Sequence, residues 1–292
     1  MMDEVLHNYA EANGLLFENV LVGFVKEHML KALYEEGFTN FLWLKNPSAI
    51  SVSGYKQRVW RQLSFVYKED ERVLKNDGFV PGCAFDEAFL PNLYKKVFME
   101  IPEFRMQEPT FETNGMLLHV YYKEMYVPIF VEVEKLKEES ITAQTNRLTL
   151  PILGNTLELL VYPMEQEAAT HVAKVCKELE LIGEMEHYLQ LYKIFSLYSV
   201  EGVRLQNAIR QELERVKLDY ERDDFNTVLG FRDYGYMKKK WKVLLRRQKI
   251  DAPQWEEVID LLDKVLSPLW QASRNDLVFF GDWMPEIGRY LD

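Results

Sequence analysis

The residues FLWLKNPSAISVSGYKQRVWRQLSFVY at 41–67 carry the strongest fold signal in this chain. It opens with the apolar run FLWL at 41–44, which predicts a buried strand. Asn46-Pro47 combines a favourable helix N-cap with a residue suited to the first helical position, so a short helix is expected there, with Gly54 at its end. A second strand is predicted to run from Arg58 to the end of the stretch. The resulting order is strand, tight turn, short helix, strand.

This order and its residues resemble the bacterial abortive-infection nucleotidyltransferase toxins of the AbiEii type. The family pattern is an apolar strand, Lys-Gly-Gly-Thr/Ser, a short helix, a Gly, then an Arg and a strand bearing Asp-x-Asp. Asn46 and Pro47 replace the two glycines, and neutral residues replace both aspartates. The resemblance implies nucleotide binding by the residues at the matching positions, which are Lys45, Ser48, Arg58, Gln62 and Ser64.

Size and composition limit the class of protein. The 292 residues are enough for one large or two modest domains, and 48% hydrophobic with 13% aromatic residues argues against general disorder. No apolar run approaches the roughly 20 residues that span a bilayer. Cys83 and Cys176 are the two cysteines, which predicts buried thiols in a reducing cytoplasm. The net charge of -11 argues against non-specific binding to nucleic acid.

Periodicity along the chain predicts an α+β fold. Helices are expected over 3–35 and 85–99, and around Pro163 the strand signals give way to helical ones. We therefore predict a mixed nucleotidyltransferase-like sheet with flanking helices over 1–164, followed by a C-terminal helical bundle over 165–292. The strands are predicted over 116–122, 126–134, 148–153 and 157–162, and the later helices over 166–182, 184–197, 200–218, 234–248 and 253–267.

The resemblance continues into the mid-chain strand. The family carries Lys-x-Asp/Glu there, and Phe130-Val131-Glu132 keeps the carboxylate without the lysine. Glu132 is thus implied as the catalytic carboxylate, and Glu132 and Glu134 as metal ligands. The family's helical motif, Arg-Asp-x-x-Asp, aligns with 186–190, where its polar positions all differ. His187 in that segment is predicted to be a helix-surface residue, or less simply a general base.

The replaced residues matter because nucleotidyl transfer uses Mg²⁺, which prefers oxygen ligands and strict octahedral geometry. Asp-x-Asp places two carboxylates on one face of a strand, whereas Gln62 and Ser64 keep the spacing and lose both charges. Pro47 also lacks the N–H that a phosphate would need. The sequence therefore favours a catalytically degenerate protein that binds a nucleotide or a partner such as a cognate antitoxin. Mg²⁺ and a nucleoside triphosphate are expected as cofactors only where activity remains.

Two alternatives stay open. One is an active transferase with displaced carboxylates, which requires at least three of Glu69, Glu71, Glu132 and Glu134 around one metal. The other is an unrelated interaction protein whose helical half is the working part.

The most basic stretch of the chain is MKKKWKVLLRRQK at 237–249. Tyr234, Met237, Trp241, Leu244 and Leu245 fall on one helical face that is predicted to be core. The basic residues then form an exposed ridge that faces either RNA, an acidic partner or solvent. The ridge residues considered for RNA binding are Lys238, Lys239, Lys240, Lys242, Arg246 and Arg247.

Overall fold

The structure is a computed structural model of the 292-residue chain. The chain folds into two compact units, Met1–Tyr162 and Pro163–Asp292. Among the described residues, none of the helices combines the length and the apolar composition that crossing a bilayer requires. The structure describes residues 2–56, 61–68, 94–95, 97–99, 101–112, 115–136, 141–218, 220, 224–248 and 252–291.

The first unit is built on a mixed sheet with the strand order β3-β5-β6-β2-β1-β8-β7, and β4 pairs with β5 beside this path. The β2–β6 and β1–β8 pairs are parallel, and the other pairs are antiparallel. The predicted mixed sheet is therefore confirmed. The strands are β1 Leu42–Leu44, β2 Gln62–Tyr67, β3 Phe104–Met106, β4 Thr110–Glu112, β5 Gly115–Tyr122, β6 Met125–Lys135, β7 Gln144–Thr149 and β8 Thr156–Val161.

Among the described residues, the helices at the start of the chain pack on one face of this sheet. The helix predicted over 3–35 is two helices, α1 Met2–Asn13 and α2 Phe17–Glu35, separated at Gly14, which has a left-handed φ of 60°. The interior of α2 is buried and packs in one core cluster with the apolar residues of β2, β5 and β6. Much of the helix predicted over 85–99 lies outside the described residues. The part of that segment that is described, 94–95 and 97–99, is helical.

The stretch 41–67 contains the predicted strand, turn, short helix and strand, with two local differences. Asn46 has a left-handed φ of 52° and no side-chain cap bond, so the prediction that it caps the helix is wrong. A 3-10 turn over Pro47–Ala49 follows, and then helix α3, Val52–Tyr55. Gly54 lies inside α3 instead of ending it. Glycine is needed at this position because a Cβ there would stand only 2.4 Å from the carbonyl oxygen of Ser48.

The strand pair near the end of the first unit begins earlier than predicted. The strand predicted over 148–153 is wrong, since β7 ends at Thr149 and a loop follows it. That loop is closed by bonds from the Gly154 N–H to the Leu150 carbonyl and from the Leu150 N–H to the Asn155 carbonyl. Because β7 is an edge strand with mostly polar residues, its start carries little apolar signal.

The second unit is mainly helical, as predicted. Its last helix is longer than predicted, with Pro268 inside it, and Gln254 forms a capping box with Glu257 at its start. The predicted cap Asp251 lies outside the described residues. The expectation that strands cease is wrong, because three short strands form a second sheet. The elements are α4 Met164–Glu178, α5 Glu186–Leu197, β9 Val200–Glu201, α6 Gly202–Arg215, α7 Asp224–Gly230, α8 Gly235–Gln248, α9 Trp255–Arg274, β10 Asp282–Met284 and β11 Arg289–Leu291.

Candidate functional site

The parallel pairing of β2 with β6 gathers the polar residues of both strands on one face of the sheet. Ser64 lies opposite Glu132 in the ladder, and Gln62 lies opposite Phe130. The alternate residues Leu63 and Phe65 point the other way and are each 1% exposed in the core beneath α2. Because strand side chains alternate with a period of two, Gln62, Ser64 and Glu132 share the opposite face.

The side-chain amide of Gln62 joins this group together. Its Nε2 donates to the Ser64 Oγ at 2.9 Å and to the Glu132 Oε2 at 2.7 Å. A carboxylate oxygen accepts, so these contacts fix which end of the amide faces Glu132. The structure therefore places a neutral N–H donor beside the carboxylate, where Asp-x-Asp would place further negative charge.

Lys45 and Glu134 form the next contact on the same face. The Lys45 Nζ lies 3.2 Å from the Glu134 Oε2, and the lysine side chain is only 12% exposed. The Lys45 backbone N–H also donates to the Ser64 carbonyl at 2.8 Å, which holds the lysine at the end of β1 next to β2. Five of the predicted site residues are thus brought into one connected group.

Ser48 lies on the 3-10 turn that follows β1 and is half-buried. Its carbonyl accepts a bond of 2.6 Å from the Ser51 hydroxyl, which in turn accepts from the Gly54 N–H at 2.9 Å. Ser51 is therefore the cap of α3, a role that sequence reasoning assigned to Asn46. A signal was present, because Ser51 stands three residues before Gly54 and directly before the helix. Arg58 lies outside the described residues.

The described residues of this face do not fit a magnesium ion. Glu132 is hydrogen-bonded to an amide, Glu134 is paired with an ammonium group, and Gln62 directs its N–H groups inward. Magnesium requires several oxygen ligands with enough negative charge to offset dehydration. Within the described ranges, no group of three or more His, Cys, Asp or Glu side chains is arranged to hold a metal. Glu69 and Glu71, which the active alternative needs, lie outside those ranges.

The prediction that His187 lies on the surface of its helix is wrong. The His187 side chain is 17% exposed, and its Nδ1 lies 2.9 Å from the Nδ1 of His171 on α4. Burial, together with the neighbouring His171, lowers the pKa of His187 to about 4. A neutral histidine hydrogen-bonded to another histidine is a packing element of the second unit.

The basic stretch forms helix α8 and agrees in most respects with the prediction. Met237, Trp241 and Leu244 are buried, whereas Tyr234, predicted to join them, is 45% exposed because it precedes the helix. Lys238 pairs with Asp233 and Glu256. Lys239, Lys242, Arg246 and Arg247 are exposed.

The fold and these contacts define an α+β protein whose mixed sheet carries a polar group centred on Glu132. No family model matches the chain, and no curated protein matches it either. Similar solved structures include two that match over nearly their whole lengths. MenT4, a nucleotidyltransferase toxin from Mycobacterium tuberculosis H37Rv, shares 13% identity at a TM-score of 0.47, covering 92% of this chain and 98% of that one. JHP933 from Helicobacter pylori shares 12% identity at a TM-score of 0.48, covering 90% and 96%.

One of these structures belongs to the class of nucleotidyltransferase toxins that the sequence resembles. Both scores lie below 0.5, so no residue role is transferred from either structure.

Proposed function

We propose that this chain is a catalytically degenerate nucleotidyltransferase-fold protein that acts by binding, either to a nucleotide or to a partner such as a cognate antitoxin. In this proposal it works in the cytoplasm, with its sheet domain over 1–164 and its helical domain over 165–292. The observation that carries the proposal is the bond of 2.7 Å from the Gln62 Nε2 to the Glu132 Oε2.

That bond supports the loss of catalysis for a simple electrostatic reason. The amide donor offsets part of the negative charge of Glu132, so the site does not depend on a bound cation for that purpose. A metal entering here would have to displace the Gln62 amide from Glu132, and the other carboxylate of this face, Glu134, is already paired with Lys45. The Lys45 ammonium balances Glu134 in the same way.

The groups that remain suit recognition of a phosphate better than chemistry on it. Lys45 supplies a cation and Ser48 a hydroxyl at the turn between β1 and α3. A phosphate would compete with Glu134 for the ammonium of Lys45, which predicts weak binding that is sensitive to salt.

The first experiment tests transfer. The full chain is incubated with each labelled nucleoside triphosphate, total RNA and either Mg²⁺ or Mn²⁺, and we expect no label in RNA or protein. Metal-dependent labelling that Glu132→Ala abolishes would overturn the proposal.

The second experiment restores the missing charges. In the double variant Gln62→Asp/Ser64→Asp, we expect Mn²⁺ to bind at least about tenfold more tightly than to the wild type in titration calorimetry. The matched control is Gln62→Asn/Ser64→Asn, which disturbs the same contacts without adding charge. Equal Mn²⁺ binding by the two double variants would show that this face lacks the geometry of an ancestral metal site.

A further inference from the structure

A cleft of about 290 Å³ lies within the second unit, between the start of α5 and one side of α8. Its volume lies just below the range of about 300–1,000 Å³ that is usual for small-molecule sites. Met185, Val243 and Leu244 form an apolar wall, and Tyr236, Lys239 and Arg247 line the same space.

The basic residues of this cleft differ from their neighbour Lys238 in how their charge is balanced. Lys238 lies 3.3 Å from the Asp233 carboxylate and 2.7 Å from that of Glu256. Lys239 and Arg247 have no ion-pair partner among the described residues. The cleft therefore presents two cations without paired acids in a chain whose net charge is -11.

Two further features make the cleft positive and give it an aromatic surface. Lys240 also lines it, and its ammonium donates to the Ile182 and Glu180 carbonyls and lies 5.0 Å from the centre of the Tyr236 ring. Among the lining residues that the structure describes, Glu186 is the one acidic residue, against three basic ones. Helix α5 begins at Glu186 without a side-chain cap, so the positive end of its dipole also lies at the cleft, where the Glu186 carboxylate offsets part of it.

We propose that this cleft binds one nucleotide unit, with its phosphate between Lys239 and Arg247 and its base against Tyr236 and the apolar wall. A phosphate matches the unpaired cations, and a base matches an aromatic ring beside aliphatic side chains. The unit can come from a free nucleotide or from the end of an RNA strand. The inference is independent of the proposed function, because no residue of the Gln62–Glu132 group takes part.

The helix itself offers a matched control. Lys242 and Arg246 are exposed on α8, have no ion pair among the described residues and do not line the cleft. The variants Lys239→Ala/Arg247→Ala and Lys242→Ala/Arg246→Ala therefore remove equal charge from one helix. Only the first pair alters the cleft.

The experiment titrates the full chain, in the presence of EDTA, with AMP, CMP and inorganic phosphate in a calorimeter, and with a labelled single-stranded RNA by fluorescence anisotropy. We expect Lys239→Ala/Arg247→Ala to weaken nucleotide binding at least about tenfold and Lys242→Ala/Arg246→Ala to leave it within about twofold. Tyr236→Leu should weaken nucleotide binding more than phosphate binding. Tighter binding of RNA than of AMP, lost with the same variants, would identify the strand end as the source.

Three results would overturn the inference. The first is a wild-type chain that binds none of these probes. The second is an equal loss in both double variants, which would indicate diffuse attraction of RNA to the whole ridge. The third is nucleotide binding that Gln62→Asn/Ser64→Asn abolishes while Lys239→Ala/Arg247→Ala leaves it intact, which would place the nucleotide on the sheet face and so support the proposed function alone.

Discussion

The ammonium group of Lys45 lies 3.2 Å from the Oε2 of Glu134, two residues beyond the carboxylate that Gln62 holds. Lys45 directly follows β1 and Glu134 lies on β6, so this contact links the two across β2. The lysine side chain is largely buried, whereas the glutamate is 38% exposed. An ion pair with one buried and one partly exposed member contributes slightly more to the free energy of unfolding than an ion pair on the surface.

The pair can be measured with a double-mutant cycle. We expect Lys45→Met, Glu134→Gln and the combined variant to give a coupling energy of about 1 kcal/mol in urea unfolding. The cycle is needed because Lys45 has interactions besides the one with Glu134. The single variant Lys45→Met and the combined variant both lose those other interactions, so they cancel in the coupling energy. Lys56→Met, at an exposed lysine just past α3, is the control and should change stability by less than about 0.5 kcal/mol. A coupling energy near zero would mean that the contact does not hold the strands together.

Gly54 should be intolerant of any side chain. A Cβ at this position would stand 2.4 Å from the Ser48 carbonyl oxygen and 2.9 Å from that of Ala49, and neither backbone atom can move without disturbing the turn. We expect Gly54→Ala to lower the free energy of unfolding by about 2 kcal/mol or more. Gly230→Ala is the matched control, because its Cβ meets nothing within 4 Å and its φ of -59° suits alanine. Equal thermal melting temperatures for the two variants would contradict this account.

The residues of the site face could be predicted because successive side chains of a strand point to opposite faces of the sheet. Given strand, turn, helix and strand over 41–67, Gln62 and Ser64 must share a face, and the alternation at 127–134 places Glu132 and Glu134 on one face of another strand. The structure joins these two faces in parallel register. Sequence reasoning could not foresee that the Gln62 amide would donate to Glu132, since that bond depends on a rotamer chosen by three-dimensional neighbours.

Other features carry too little local signal to be predicted. The strands β9–β11 are two or three residues long, and a period of two cannot be recognised over such lengths. Asn46 is a good cap by type, yet its left-handed φ rules out that role, and asparagine is also a residue that tolerates this conformation. The burial of His187 depends on His171, which lies sixteen residues earlier on another helix.

Glu27 should contribute to stability through the backbone it holds. Its carboxylate accepts from the Tyr55 hydroxyl at 2.7 Å, from the Ile152 N–H at 3.0 Å and from the Leu153 N–H at 2.8 Å. Glu27→Gln would turn an amide N–H toward one of these donors, so we expect a loss of about 2 kcal/mol. Tyr55→Phe removes a single donor and is the milder comparison, at about 1 kcal/mol in the same urea titration.

The sign of the pH dependence of Glu27 follows from its pKa. Burial raises the pKa of Glu27 despite the three hydrogen bonds that favour its charged form. Because the pKa of Glu27 is raised in the folded protein, the contribution of Glu27 to stability is complete below the ordinary glutamate pKa. That contribution declines as the pH rises through the pKa of Glu27 in the folded protein. The stability gap between wild type and Glu27→Gln should therefore be wider near about pH 4 than near about pH 8. A gap that widens with rising pH would contradict the raised pKa.

The His171–His187 contact should make the second unit sensitive to acid. Burial lowers the pKa of His187 from 6.5 to about 4. The stabilisation that the neutral His187 ring provides is therefore complete above the ordinary histidine pKa, and it is lost as the pH falls through the pKa of His187 in the folded protein. Glu167 lies 3.4 Å from His171, and Glu184 lies 3.5 Å from His187. Lys174 and Glu178 also act on the His187 ring, with opposite effects on its pKa.

We expect wild-type stability to fall by about 2 kcal/mol more than that of His187→Phe between about pH 7 and about pH 4, allowing for the water contact that the ring retains. Urea unfolding followed by circular dichroism at each pH gives the difference directly. Taking the difference cancels the contribution of His28, whose pKa burial also lowers to about 4 and which both proteins keep. The control His7→Gln removes an exposed histidine of α1 and should follow the wild-type curve. If His187→Phe follows that curve too, a protonated His187 is tolerated beside His171, and the contact between α4 and α5 does not depend on a neutral His187 ring.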